Sequence, residues 1–113
     1  MKKILLVCNA GMSTSILVRN MQKAAAEKGL DCSIEAKSLT QAKKELGDVN
    51  VILLGPQIGY ELKSVKELAG ETPAAVIDMK DYGAMDGMKD YGAMDGMKVL
   101  KTAYKLMKQA QAN

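Results

Sequence analysis

Apolar residues follow two different rhythms along this chain. Ile4, Leu5, Leu6 and Val7 form an unbroken aliphatic run, the pattern of a strand covered on both faces. From Ser13 the spacing changes. Ile16, Leu17, Met21, Ala24 and Ala25 recur at helical intervals until Gly29 ends the helix. Cys32, Ile34 and Ala36 then alternate with Asp31, Ser33 and Glu35, which predicts a half-buried second strand. Ser38-Leu-Thr-Gln41 has the form of a capping box and predicts a short helix through Ala42 and Leu46. Val49 and Val51 to Leu54 predict a third, deeply buried strand, stopped by Gly55-Pro56. Ile58, Leu62, Val65 and Leu68 mark one face of a further helix. Ala74 to Ile77 follow Pro73 as a fourth strand that closes on Asp78. Val99, Leu100, Ala103, Leu106, Met107 and Ala110 predict a C-terminal amphipathic helix with Asp95 as its N-cap.

Strands separated by helical crossovers imply an α/β fold: a four-stranded parallel sheet flanked by helices on both faces, wound right-handed. The 113 residues suffice for one domain, 1–113, that buries its apolar surface without staples. In such sheets chemistry lies beyond the carboxyl ends of the strands. Cys8, the Gly55-Pro56-Gln57 turn and Asp78 are all expected at that edge.

Composition narrows the chemistry. There is no His, which excludes a His general base, a His metal ligand and a Ser/His/Asp triad. The two Cys lack metal-site spacing, and neither metal nor cofactor is expected. With no Phe or Trp and four Tyr, the core must be aliphatic. The net charge of +3 is mild and dispersed, arguing against nucleic acid and leaving room for an acidic or phosphorylated protein partner. No apolar run approaches the ~20 residues of a membrane span, and the run after Lys2-Lys3 is shorter than the ~7–15 residues of a signal peptide's apolar region. The chain reads as cytosolic, with no direct membrane insertion.

Residues 79–87, Met-Lys-Asp-Tyr-Gly-Ala-Met-Asp-Gly, are repeated unchanged as 88–96. Two copies of nine residues make no solenoid. The unit reads as a recent duplication or an artefact of cloning, functionally neutral, that bulges between the fourth strand and the last helix.

The candidate chemistry centres on Cys8. A cysteine between a parallel strand and a helix N-terminus sits where backbone N–H groups converge and the helix dipole is positive. Both favour thiolate and bind anions. Asn9, Ala10, Gly11 and Met12 would form the loop, and the hydroxyls of Ser13, Thr14 and Ser15 would add hydrogen bonds to a phosphoryl group on sulfur. The bland alternative makes Cys8 a small buried residue in a Gly-containing turn. Cys32, expected at the opposite end of a neighbouring strand ~16 Å away, is too far for a disulfide and reads as a core or near-core residue.

The segment Cys8-Asn-Ala-Gly-Met-Ser-Thr-Ser15 after a strand resembles the active-site loop of the IIB component of the sugar phosphotransferase system. Within that system it is most similar to the lactose/cellobiose/diacetylchitobiose family. Val51-Ile-Leu-Leu-Gly-Pro-Gln-Ile58 resembles that family's third strand and following turn. Val76-Ile-Asp78, Tyr82-Gly83 and Asp95-Gly96 before Val99-Leu100 resemble its ending. One copy of the nine-residue unit has no counterpart. The resemblance implies a four-stranded parallel sheet with a phosphatase-like phosphate-binding loop after strand one. It also implies a phosphocysteine intermediate at Cys8 that takes phosphate from a histidine of a IIA protein. The phosphate would pass to a β-linked disaccharide, of cellobiose or diacetylchitobiose type, in the membrane-embedded IIC permease.

Three further residues are weaker candidates for contact with the partner or support of the loop. Gln57 can hydrogen-bond the loop or the incoming phosphohistidine, or serve the turn alone. Asp78 is an orienting carboxylate or, better, a cap. Tyr82 and its copy Tyr91 cannot both occupy one site. The alternative enzyme is a low-molecular-weight tyrosine phosphatase or arsenate reductase. Its Cys-x5-Arg loop clamps phosphoryl oxygens with a guanidinium, but Thr14 stands at that position and the only Arg, Arg19, lies more than a turn into the helix. A flavodoxin-like FMN module would want aromatic stacking that a chain without Trp or Phe does not offer.

Overall fold

The computed structural model describes residues 2–8, 12–77 and 96–112. In chain order its elements are β1 (Lys2–Cys8), α1 (Met12–Lys28), β2 (Cys32–Ser38), α2 (Leu39–Ala42), β3 (Val51–Leu54), α3 (Leu62–Ala69), β4 (Ala74–Val76) and α4 (Gly96–Ala112). Two 3₁₀ segments, Leu46–Asp48 and Pro56–Glu61, lead into and out of β3. The four strands form one sheet in the order β2-β1-β3-β4, and every pair is parallel.

Side-chain alternation in the central strands sorts the core into two layers. Ile4 and Leu6 of β1 join Val51 and Leu53 of β3 in packing against Leu17, Met21, Ala24 and Ala25 of α1 and Val99, Leu100, Ala103 and Met107 of α4. Leu5, Val7, Ile52 and Leu54 face the other way, onto Ala42, Leu46, Ile58, Val65 and Ala69. All four residues of β3 are fully buried, as the uninterrupted aliphatic run requires. Among the described residues the buried core is built of Leu, Ile, Val, Met and Ala, with Tyr104 packed at the edge of the α1–α4 layer.

Helix α1 stops through a Schellman arrangement. Gly29 takes φ of +67°, its N–H donates to the Ala26 carbonyl at 3.2 Å, and the Leu30 N–H donates to the Ala25 carbonyl at 2.9 Å. Ser38 starts α2 as expected, its hydroxyl accepting from the Gln41 N–H at 3.4 Å.

Some expected boundaries move. The α2 helix ends at Ala42, and Leu46 reaches the core from a separate 3₁₀ turn. Lys43 and Lys44 follow α2 directly, and neither has an apolar face to bury. Val49 lies outside β3, which begins at Val51. Ile58 sits in the 3₁₀ segment with non-helical backbone angles, so the α-helical face starts later than its periodicity suggests. The buried stripe of α3 runs through Val65 and Ala69, while Leu68 is 56% exposed. From Val65 the buried side of α3 continues to Ala69, four residues on, rather than to Leu68, three residues on. In β2 only Ile34 is fully buried, because short α2 leaves one face of that edge strand thinly covered. Asp95, the expected cap of α4, lies outside the described residues, as do positions 78–94 that carry most of the duplication; α4 itself begins at Gly96, the next position.

Candidate functional site

Strand order fixes where chemistry belongs. The chain leaves β1 toward β2 on one side, then returns to lay β3 on the other. The switch point therefore falls between the carboxyl ends of β1 and β3, where open α/β sheets bind ligands. Cys8 is the last residue of β1 and pairs in register with Ser38, the last residue of β2. Immediately beyond, the Gly55 N–H donates to the Val7 carbonyl at 2.8 Å, and the Ile77 N–H donates to the Leu54 carbonyl at 2.8 Å. The ends of β1, β3 and β4 are thereby tied level with one another.

Helix α1 opens at Met12, four residues past Cys8. Four residue steps span at most ~14 Å, so the start of a 17-residue helix stays close to the end of β1. The first amides of any α-helix have no partner within it and carry about half a positive charge. The first turn of α1 holds no acidic side chain to neutralise that charge.

Of the candidate residues, Cys8 ends β1, Met12, Ser13, Thr14 and Ser15 belong to the opening of α1, and Gln57 follows Gly55-Pro56 in the 3₁₀ segment after β3. These segments meet at one edge of the sheet. Asn9, Ala10, Gly11, Asp78 and Tyr82 lie outside the described residues. Arg19 is exposed on α1, seven positions past its start, so the phosphatase guanidinium has no counterpart there. Cys32 pairs with Lys2 at the far end of β2. Six register steps separate it from Cys8, ~20 Å at the usual strand rise. It is a free, half-buried thiol packed at the edge of the α1–α4 core, close to the near-core position expected of it.

Two charged arrangements escaped the sequence pattern. Lys37, opposite Val7 and one residue from Ser38, forms an ion pair with Glu45 and lies 3.8 Å from Glu35. The hydrogen bond with Glu45, together with the charges of Glu45 and Glu35, raises the Lys37 pKa above its ordinary value. This ammonium is committed to carboxylates. Tyr104 of α4 has its pKa pushed up to about 12 by burial, by a hydrogen bond with Cys32 and by negative charge at Cys32 and Asp31. No short-range sequence rule links Lys37 with Glu45 or Tyr104 with Cys32, since each pairing depends on how elements pack. Among the described residues no group of His, Cys, Asp and Glu is arranged to hold a metal ion, and no helix is long and apolar enough to cross a membrane.

Comparison with known proteins agrees with this architecture. The family described as "PTS system, Lactose/Cellobiose specific IIB subunit" matches residues 3–92. A galactose-specific EIIB component of Lactococcus lactis subsp. cremoris is 45% identical over 114 residues, covering 94% of this chain and 96% of that protein. A cellobiose-specific EIIB component of Lactococcus lactis subsp. lactis is 44% identical over 114 residues, with the same coverage of 94% and 96%. An oligo-beta-mannoside-specific EIIB component of Bacillus subtilis is 39% identical over 89 residues, 77% of this chain and 86% of that protein. The solution structure of a cellobiose-specific phosphotransferase IIB component from Borrelia burgdorferi superposes with a TM-score of 0.73 at 34% identity, covering 96% of this chain and 94% of that one. A switch point between β1 and β3, a cysteine at its lip and relatives matched over nearly their whole length lead to one conclusion: the chain belongs to the lactose/cellobiose-specific IIB subunits of the phosphotransferase system, the sugar-specific components of that uptake machinery.

Proposed function

We propose that this protein is a cytoplasmic phosphoryl carrier in which Cys8 holds the phosphate. One observation carries the reading: the cysteine ends β1 at the switch point, and a 17-residue helix with no acid in its first turn opens four residues later. Phosphoryl transfer asks the protein for a nucleophile, in-line positioning and charge stabilisation. The thiolate is favoured, and the phosphoryl oxygens are stabilised, by the positive end of α1 together with the amides of Asn9, Ala10, Gly11 and Met12. The hydroxyls of Ser13, Thr14 and Ser15 add donors.

The chemistry balances with Cys8 as nucleophile and no acid or base from this chain. The Cys8 thiolate attacks phosphorus of a phosphohistidine on a IIA protein, an S–P bond forms, and the P–N bond breaks. The electron pair leaves with the imidazole, which takes up a proton on the partner. In the second step a sugar hydroxyl held by a IIC permease attacks phosphorus. The S–P bond breaks, the thiolate returns, and the hydroxyl proton passes to a base of the permease. The carrier meets the membrane's inner face only during this exchange. Thr14 at the position of the phosphatase Arg withholds the guanidinium that would speed transfer to water, so the phosphocysteine survives between partners. Gln57 hydrogen-bonds the loop or the incoming phosphohistidine, and Asp78 and Tyr82, in the chain after β4, are the further candidates for contact with the partner or support of the loop. The sugar is a β-linked disaccharide of cellobiose or diacetylchitobiose type. That choice rests on the family, because the relatives named above differ in sugar at similar identity.

Intact-mass and peptide analysis after incubation with phosphorylated IIA tests the reading. One phosphate on Cys8 is expected, with Cys8→Ser unable to accept it and Cys32→Ser unaffected. Phosphate on Ser13, Thr14, Ser15 or Cys32 instead overturns the assignment.

A further inference from the structure

We propose that the outer face of α4, with the apolar hollow beside it, is a surface that binds anionic lipid bilayers. The binding stands on its own. Its use, keeping the carrier near a membrane permease, rests on the function proposed above.

The mild net charge of +3 hides an uneven distribution. Of the 16 basic residues four, Lys98, Lys101, Lys105 and Lys108, lie in α4, and none of the 13 acidic residues does. The net charge of the chain is thus smaller than the charge of this one helix. All four lysines are exposed, on the side opposite the buried Val99, Leu100, Ala103 and Met107. Their row runs ~15 Å at the usual helical rise. Nothing within the helix favours it. Like charges three and four positions apart repel, and no lysine lies in the last turn, where the helix dipole would welcome a cation. Among the described residues, Lys101, Lys105 and Lys108 enter no ion pair. A destabilising row of one sign on an outer surface points to an anionic partner.

The apolar flank of the row decides which anion it meets. There Leu30, Met97, Leu100 and Tyr104 line a hollow of about 380 Å³, with Lys28 and Lys101 completing its wall. Leu30 is 38% exposed, a large apolar side chain set beside lysines. An anionic bilayer matches both halves of this arrangement, with phosphates for the lysines and acyl carbon for the hollow. A lysine stem lies along apolar surface while its ammonium reaches the headgroups, and tyrosine is enriched at the same boundary. Polynucleotide phosphates would leave the hollow unfilled, and the only Arg, which would fork them, sits on α1. Protein–protein interfaces are depleted in Lys. This is adhesion rather than insertion, since among the described residues no helix is long and apolar enough to cross a membrane. The surface is also remote from the candidate site. Tyr104 hydrogen-bonds with Cys32, ~20 Å along the sheet from residue 8, so a carrier held here keeps the carboxyl ends of its strands open to protein partners.

Sedimentation of the full chain with vesicles tests this, using phosphatidylcholine alone or with about one third phosphatidylglycerol. Binding is expected to the anionic vesicles only, and raising salt from ~0.1 M to ~0.5 M should abolish it. Each lysine neutralised should weaken binding about fivefold, so Lys101→Gln, Lys105→Gln and Lys108→Gln together should weaken it about a hundredfold. Leu30→Ser leaves the charge unchanged and should weaken binding severalfold through lost apolar contact. Lys63→Gln with Lys66→Gln, on the exposed face of α3, should leave it unchanged. Circular dichroism melts check that each variant keeps the fold. Cys8→Ser should bind vesicles as the parent does, which separates failure of the phosphocysteine reading from failure of this surface. No binding to anionic vesicles, equal binding to neutral ones, or an unchanged triple or Leu30→Ser variant would overturn the proposal. So would a raised KM of the triple variant for phosphorylated IIA, or tighter retention of a mixed RNA oligonucleotide than of anionic vesicles, since each gives the row to another partner.

Discussion

At the scale of single residues, the positions with the clearest consequences lie away from the candidate site. Gly29 adopts φ of +67° and nothing lies within 4 Å of a Cβ built there. A substitution at this position is therefore penalised by backbone conformation alone. Gly29→Ala should lower unfolding free energy by about 1 kcal/mol, and Gly29→Asn by less, because Asn tolerates the left-handed region. Urea denaturation of the three proteins checks the order. Tyr104 makes a second prediction. Its pKa rises from the ordinary 10.0 to about 12, mainly through burial and then through the Cys32 hydrogen bond. The folded protein thus favours the neutral phenol. Stability linked to this group is complete below pH ~10, the pKa of an unfolded tyrosine, and is lost as pH climbs toward 12. Ultraviolet absorbance should show a phenolate that forms only as pH approaches 12, and Tyr104→Phe should remove that late step. The same substitution should lessen the fall in stability across this pH range.

At the scale of elements, capping and phase decided more than propensity. Ser38 starts α2 with a hydroxyl-to-amide bond of 3.4 Å, long for such a contact. Ser38→Ala should cost about 0.5–1 kcal/mol, the lower part of the range for lost N-caps, with Ser38→Asp near neutral. Thermal unfolding measures both. The N-cap at Ser38 was legible because its donor, the Gln41 N–H, is only three residues away. Gly29 was legible as a helix stop for the same reason, since its meaning is local. The face of α3 was not. Residues three and four after Val65 both fit a helical face, and packing on the sheet chose Ala69, so Leu68 took a core position in the periodic pattern and solvent in the fold. Lys37 likewise gained Glu45 only when α2 and the following turn folded across β2.

For the whole molecule, the duplication offers the sharpest test. The two copies are identical, so deleting one leaves the sequence that leads into α4 unchanged. Lengthening a connection costs only ~0.6 kcal/mol per doubling of its length. Deleting residues 88–96 should therefore leave the melting temperature within a few degrees and phosphotransfer equal or faster. A variant that fails to fold would show the second copy to be part of the framework.

The sequence by itself determined the kind of protein this is. Strand and helix rhythms are set by side-chain geometry over two to four residues, so β1 to β4, α1 and α4 could be read directly. Parallel pairing followed from the helical crossovers. The arrangement of Cys8, the small-residue loop and the Leu54-Gly55-Pro56-Gln57 turn identified the family. Only the tertiary structure decided what depends on distant parts of the chain meeting. It set the strand order that makes the ends of β1 and β3 a switch point, and it tied Gly55 to Val7 and Ile77 to Leu54. It also committed Lys37 to Glu45, gave Tyr104 a half-buried place beside Cys32, and left Tyr60 and Leu68 in water. Burial and long-range pairing are properties of packed surfaces, and no local pattern encodes which surface an element will meet.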